Sequence, residues 1–282
     1  MAKSVGKAPA ESPRKQSRSA TLVAWFSKRP VLFKIAVGLA APLWVLASFY
    51  GSQGLIYLIV LAMFTLNIPY DIMNDTVFEA TISGTMYVIA LAIAIGVPWL
   101  LWRRTLSKSE LGFKETLPSW KDVGWAPLVF IGALLSTAFV LRLVGQLVPE
   151  LNLETDQEVG FEMIAQRYEL LLAYLTIAVV GPIAEEVLFR GFLHGTLRKK
   201  LSAWATVLIT ATLFAALHLG IYQLDEWQWN VAIDTFVLSL WLGFMRERTG
   251  TIWVPILVHV IKNSLAFFVL FVAPMLAIGA GV

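Results

Sequence analysis

The chain is 282 residues long, 58% hydrophobic and only 15% charged, with a mean hydropathy of +0.72; soluble globular domains are less apolar and more charged, which excludes a water-soluble enzyme. A formal net charge of +3 without any recognition module excludes a nucleic-acid partner. Cysteine is absent, so chemistry must come from carboxylates, hydroxyls, amides and three histidines, with no disulfide, thiolate nucleophile, Cys-ligated zinc or palmitoylation site.

Residues 1–30 carry seven basic side chains against one acid, Glu11, with no apolar periodicity before Leu22. They read as a disordered, basic cytoplasmic tail that signals orientation and meets anionic lipid. A cleaved leader would place its apolar core sooner. Next comes a long apolar stretch, 31–66. As one helix it would measure about 54 Å, too long for a single perpendicular crossing of a core of roughly 30 Å, and Gly51-Ser52-Gln53-Gly54 is expected to break it. Further spans are predicted at 84–102, 124–148, 170–198, 203–219, 231–245 and 252–273, each apolar enough to be a membrane helix.

The segments between spans alternate in charge. Residues 103–123, 198–202 and 246–250 hold five, three and two basic residues, which with the tail make 17 of the 22 in the chain. The intervening 69–83, 149–169 and 220–230 hold three, six and two acids and one basic residue, Arg167. Basic loops stay in the cytoplasm, so the N-terminus is predicted to be cytoplasmic. Trp227 and Trp229 fall where an interfacial aromatic belt belongs at the far surface. The expected fold is an all-α, polytopic transmembrane helical bundle of about seven crossings, with 31–66 allowing an eighth, partial element. Its organisation is read as the tail (1–30), N-terminal membrane helices with a cytoplasmic loop (31–123) and a catalytic membrane core (124–282) whose motifs lie within 181–263.

Ionisable residues inside spans are costly and mark candidate sites. Glu185, Glu186 and Arg190 lie together after Gly181-Pro182; His218 ends the fifth span; His259 and Asn263 share the last. Glu186 and Arg190, four apart, suit a salt bridge, which His194 extends by a turn. Glu185 is rotated about 100° away and free to face a cavity. In a hairpin turning at 201–202, Glu185 is level with His218. Counting at helical rise, Glu185 lies about 20 Å from Arg198 and His259 about 17 Å from Arg248, so both sit near mid-membrane. Pro182 and Pro255 each remove a helix hydrogen bond close to these residues, which favours a kink and a wet space.

A glutamate and a histidine sharing one water can deprotonate it for attack on a carbonyl, with His259 and the Asn263 amide as oxyanion donors. Peptide hydrolysis is the reaction class this suggests. The same atoms allow a metal alternative, in which Glu185 or Glu186 with His218 and His259 would hold a catalytic Zn2+ with one open position. Neither HExxH nor GxSxG occurs. Of the two schemes the metal-free one is preferred, and both stay open.

Glu185-Glu186-x-x-x-Arg190, Phe214-x-x-x-His218 and His259-x-x-x-Asn263, in that order on three helices, resemble the three motifs of the CPBP family of intramembrane proteases, which includes type II CAAX prenyl endopeptidases and bacteriocin-processing or self-immunity proteins. Arg246-Glu247-Arg248-Thr249-Gly250 leading into Trp253-x-Pro255 is similar to bacterial members. The resemblance covers roughly 165–275. It implies that Glu185 and His218 activate water, that His259 and Asn263 form the oxyanion site, and that Glu186 and Arg190 hold the architecture. The family's usual description as metalloproteases implies a metal that the glutamate-water scheme does not need.

Plainer readings stand beside these. Glu186 with Arg190 is read chiefly as a buried bridge; Glu185, His218, His259 and Asn263 could instead serve only as interhelical glue. His194 is read as a solvated or bridging residue near the cytoplasmic surface, and Lys262 and Asp234 as reaching a cavity or each other. The expected function is an intramembrane endopeptidase acting on a membrane-associated protein or peptide, with the lipid bilayer as its other partner. The rivals are a non-catalytic immunity or scaffold protein of the same fold, and a proton-relay transporter, for which no inverted repeat speaks.

Overall fold

A computed structural model describes residues 30–68, 75–102, 107–155, 160–161, 164–220 and 227–279. The basic tail before Pro30 and parts of the loops 69–83, 103–123, 149–169 and 220–230 lie outside the described residues. Among those described, the fold is helical throughout, with seven continuous helices. They are α1 (Pro30–Thr65); α2, Asp75–Leu91 continued through a π-helical turn, Ala92–Gly96, into Val97–Trp102; α3 (Trp120–Leu147); α4 (Arg167–Arg198); α5 (Ala203–Leu217); α6 (Trp229–Thr249); and α7, Trp253–Phe267 continued through the π-helical Phe268–Val272 into Ala273–Gly279. Five are long and apolar enough to cross a membrane: α1 to α4 and α7.

The expected break in the first apolar stretch is not there. α1 runs 36 residues through Gly51 and Gly54, and no eighth helix appears among the described residues. The small residues serve close packing instead. Ser48 and Ser52 are fully buried and turn their hydroxyls onto Trp44 O and Phe49 O of their own helix, at 2.8 and 2.6 Å. A Cβ on Gly51 would stand 3.9 Å from Ile93 Cδ1 of α2. The π-helical turn of α2 leaves the Ala94 carbonyl to accept from Trp44 Nε1 at 3.1 Å, which pins α1 to α2 at that level.

α5 and α6 fall short of the membrane-span pattern for different reasons. α5 has only 15 residues. α6 has 21 but carries Asp234, Arg246, Glu247 and Arg248, and it can do so because it lies inside, between α5 and α3. Its apolar side completes a core of Ala126, Val129 and Ala133 of α3, Leu238, Leu242 and Met245 of α6, and Val254 and Val258 of α7. A second core joins Val45, Ala94, Leu188, Phe189, Leu193 and Phe214. α4 is the most buried of the spans, which makes it the post against which the site is built.

α4 is not a uniform helix. Leu175–Val180 and Val187–Leu193 are π-helical, flanking the α-helical Gly181–Glu186. Proline clashes with an ordinary helical turn before it, and a widened turn immediately ahead of Pro182 relieves this. At the basic end of the bundle, Gly250 takes φ +69° and its N–H donates to Arg246 O, ending α6 as glycine does best. The segment before α3 is locked on by Arg246, whose guanidinium donates to Arg190 O and Glu110 O, both at 3.1 Å. There the Lys199 ammonium, 2.5 Å from Glu110, holds that carboxyl below its ordinary pKa, helped by the Ser107 N–H.

Candidate active site

Glu186 and Arg190 are both completely buried, with Arg190 Nη1 donating to Glu186 Oε1 at 2.7 Å. The same oxygen accepts from His259 Nδ1 at 2.9 Å, so the bridge also holds an imidazole on α7. Arg190 Nη2 donates to Ser239 Oγ of α6 at 2.7 Å, and its guanidinium lies 4.7 Å from the centre of the Phe214 ring. One ion pair thus ties α4 to α5, α6 and α7. Phe214 is itself a hub: its ring stacks tilted on His218 at 4.6 Å and edge-on to His259 at 5.8 Å. The motif spacing Phe214 to His218 thereby packs both histidines and Arg190 around one aromatic face.

Glu185, one position on, points elsewhere, as a 100° rotation requires. Its carboxylate accepts from the Tyr87 hydroxyl of α2 at 2.9 Å, and its other oxygen lies 3.8 Å from His259 Nε2. His218 Nδ1 is 2.8 Å from Phe214 O. A carbonyl can only accept, so Nδ1 carries the proton and a neutral ring presents Nε2 as a base. The Nδ1–H of His259 is spent on Glu186. Glu185, His218, His259 and Asn263 all line one cavity of about 320 Å³, together with Tyr87 and Lys262.

Asn263 owes its place to a proline. Gly181 N–H donates to Thr176 O in the widened turn, and Pro182 has no N–H to offer the next carbonyl, Ile177 O. That carbonyl accepts from Asn263 Nδ2 at 3.0 Å, which leaves the second amide N–H of Asn263 unspent. The proline thus supplies an open acceptor that orients a neighbouring side chain.

The zinc alternative needs three ligands gathered at one point. Among the described residues no group of three or more His, Cys, Asp or Glu is placed to hold a metal ion. Glu185, His218 and His259 as they stand do not fit a zinc site.

Two participants, Tyr87 and Ser239, escaped the sequence reading. Tyr87 was not singled out, although a tyrosine hydroxyl in a span needs a partner; Ser239 carried no signal at all. His194 is buried rather than solvated, 2% exposed, and bridges: its Nε2 lies 2.7 Å from Glu247, which also accepts from Arg198 at 2.9 and 3.0 Å. Lys262 and Asp234 do reach each other, at 2.8 Å.

Residues 167–265 match the family model described as type II CAAX prenyl endopeptidase Rce1-like. The chain is 27% identical over 174 residues to the "Putative membrane peptidase YdiL" of Bacillus subtilis (strain 168), covering 61% of this chain and 66% of that protein. It is 30% identical over 100 residues to an uncharacterized 24.3 kDa protein of Escherichia coli, 34% of this chain and 43% of the other. It is 31% identical over 113 residues to the uncharacterized protein YpbD of Bacillus subtilis (strain 168), 40% and 52% respectively. The chain therefore spans between 43% and 66% of the length of these relatives. No solved structure matches it. All seven motif residues, Phe214 among them, fall inside the stretch that matches the Rce1-like model, and over that stretch this helical membrane protein is similar to the type II CAAX prenyl endopeptidases.

Proposed function

We propose that the chain is an intramembrane endopeptidase that hydrolyses a peptide bond of a membrane-associated protein with a water activated by Glu185 and His218. The observation that carries this reading is that Glu185, His218, His259 and Asn263 line one cavity, in which Glu185 Oε2 and His259 Nε2 stand 3.8 Å apart. A single water can bridge groups so spaced by hydrogen bonds of ordinary length.

In this scheme Tyr87 orients the Glu185 carboxylate. Glu185 takes a proton from the water while His218 Nε2, its tautomer set by Phe214 O, accepts the second hydrogen bond of the same water. The hydroxide equivalent adds to the scissile carbonyl. The oxyanion is met by the spare N–H of Asn263 and by the Nε2–H of His259, which enters the reaction as an imidazolium held by Glu186 and keeps its protons throughout. The proton on Glu185 then passes to the departing amine, leaving a carboxylic acid and an amine as products. Glu186 and Arg190 position His259 and touch no reacting atom. Prenylated proteins are one substrate class to which family kinship points.

Glu185→Gln keeps size and hydrogen bonding to Tyr87 but removes the base. Purified wild type is expected to cut a membrane-protein substrate, and the variant to lose at least about 10²-fold in rate, the usual worth of a general base. Equal cutting by both proteins would sink the assignment.

A further inference from the structure

Lys262 is the one lysine or arginine lining the catalytic cavity among the described residues, and the hydrolytic scheme does not use it. A lysine within a span is costly unless it has a task or a partner. It has a partner: its ammonium lies 2.8 Å from Asp234 Oδ2 of α6, with both side chains about a quarter exposed. Yet α6 and α7 are already joined by Leu238, Leu242, Val254 and Val258, so their association does not need the ion pair. An ammonium has three N–H donors; Asp234 engages one, leaving two for the cavity.

Position adds to this. Lys262 is next to Asn263 in sequence and three residues from His259, hence on a neighbouring part of the same helix surface. Glu185 supplies a negative pole to the same cavity. A substrate group with a negative charge is repelled at Glu185 and drawn to Lys262, and the low dielectric between them strengthens both effects. We propose that Lys262 is a substrate-positioning residue that binds a carboxylate of the peptide close to the scissile bond, with Asp234 holding the ammonium in place. The inference rests on reading the cavity as a peptidase site. With extended chain advancing about 3.3–3.6 Å per residue, the carboxylate belongs on the order of one to three residues from the cut. It is either a free chain terminus or an Asp or Glu side chain.

The test uses short synthetic peptides with an N-terminal palmitoyl chain, mixed with the full-length protein in detergent micelles, and maps cuts and rates by mass spectrometry. One pair of sets differs only in a C-terminal carboxylate or carboxamide, the other only in Glu or Gln at internal positions. Wild type is expected to favour the charged member of one pair by roughly tenfold to a hundredfold in kcat/KM, the range for a hydrogen bond to a charged group, mainly through KM. The pair that shows it identifies the source of the carboxylate. Lys262→Met should abolish the preference, so that charged and uncharged members of the pair are cut alike, and Lys262→Arg should restore it. Wild-type cutting without preference in either pair overturns the inference and leaves the peptidase reading standing. So does a Lys262→Met variant that loses all peptides equally, since the pair would then be structural. No cutting of any peptide by wild type, while Glu185→Gln behaves identically, overturns both.

Discussion

Glu186 and His259 lie 73 residues apart in the chain, and a buried 2.9 Å hydrogen bond joins them. The carboxylate oxygen involved is the one that also receives Arg190, so a single atom sets the packing of α4 and the orientation of an imidazole on α7. Architecture and chemistry are coupled there. Replacing Glu186 by Ala strips a fully buried guanidinium of its counter-charge. The expected loss of stability is about 3–5 kcal/mol, the cost of breaking rather than replacing a buried pair, read as a lowered unfolding midpoint in detergent. Glu186→Gln should keep the fold better yet still reduce kcat, because the amide holds the His259 proton more weakly than a carboxylate does. A Glu186→Gln protein with wild-type kcat would show that His259 needs no such support.

Tyr87 makes one recorded polar contact in the cavity, to Glu185. Tyr87→Phe deletes the hydroxyl and leaves the ring to pack, so stability should change by no more than about 1 kcal/mol. The rate should fall about tenfold or more, because a Glu185 carboxylate no longer held by Tyr87 is misplaced for proton transfer. Steady-state kinetics beside a thermal melt separate the two effects. A matching loss in both would mark Tyr87 as a packing residue only.

How much of this was legible beforehand depended on the range of the signal. Helical period, loop charge and the order of the three motifs are local patterns, and they pointed to a helical membrane bundle and to the residues that line the cavity. That Glu185 and His218 come to one cavity from either side of a tight turn was likewise within reach of counting. Tyr87, Ser239 and the link from Glu186 to His259 depend on how distant helices rotate against one another, and no single span encodes its own rotation. The Gly51-Ser52-Gln53-Gly54 stretch misled for a related reason. In water such a cluster breaks a helix, but inside a bilayer backbone groups have no alternative partner, so the helix persists and small residues become places of close approach.

The donor geometry bears on cofactor dependence. With no three ligands converging among the described residues, activity is expected to survive prolonged incubation with EDTA and with 1,10-phenanthroline. Elemental analysis of the active protein should find zinc well below one equivalent. Loss of activity on chelation that zinc alone restores would overturn the water-activation scheme in favour of a rearranged, metal-bound site.

Pro182 offers the sharpest separation of stability from activity. Pro182→Ala returns an N–H to α4, and that N–H can reach the Ile177 carbonyl which now accepts from Asn263. Proline inside a helix costs about 3 kcal/mol relative to alanine where the turn is regular; here the widened turn already relieves part of that, so the variant should be as stable as wild type or modestly more so. Asn263, displaced from its acceptor, would lose the orientation that aims its second N–H into the cavity. Removing one oxyanion donor typically lowers kcat by about 10²–10³-fold, and misorienting it should give a loss approaching that range with little change in KM. A melt and a kinetic measurement on the same preparation test both halves. If Pro182→Ala is destabilised but fully active, the proline serves the fold alone, and the link from its missing N–H to Asn263 is wrong.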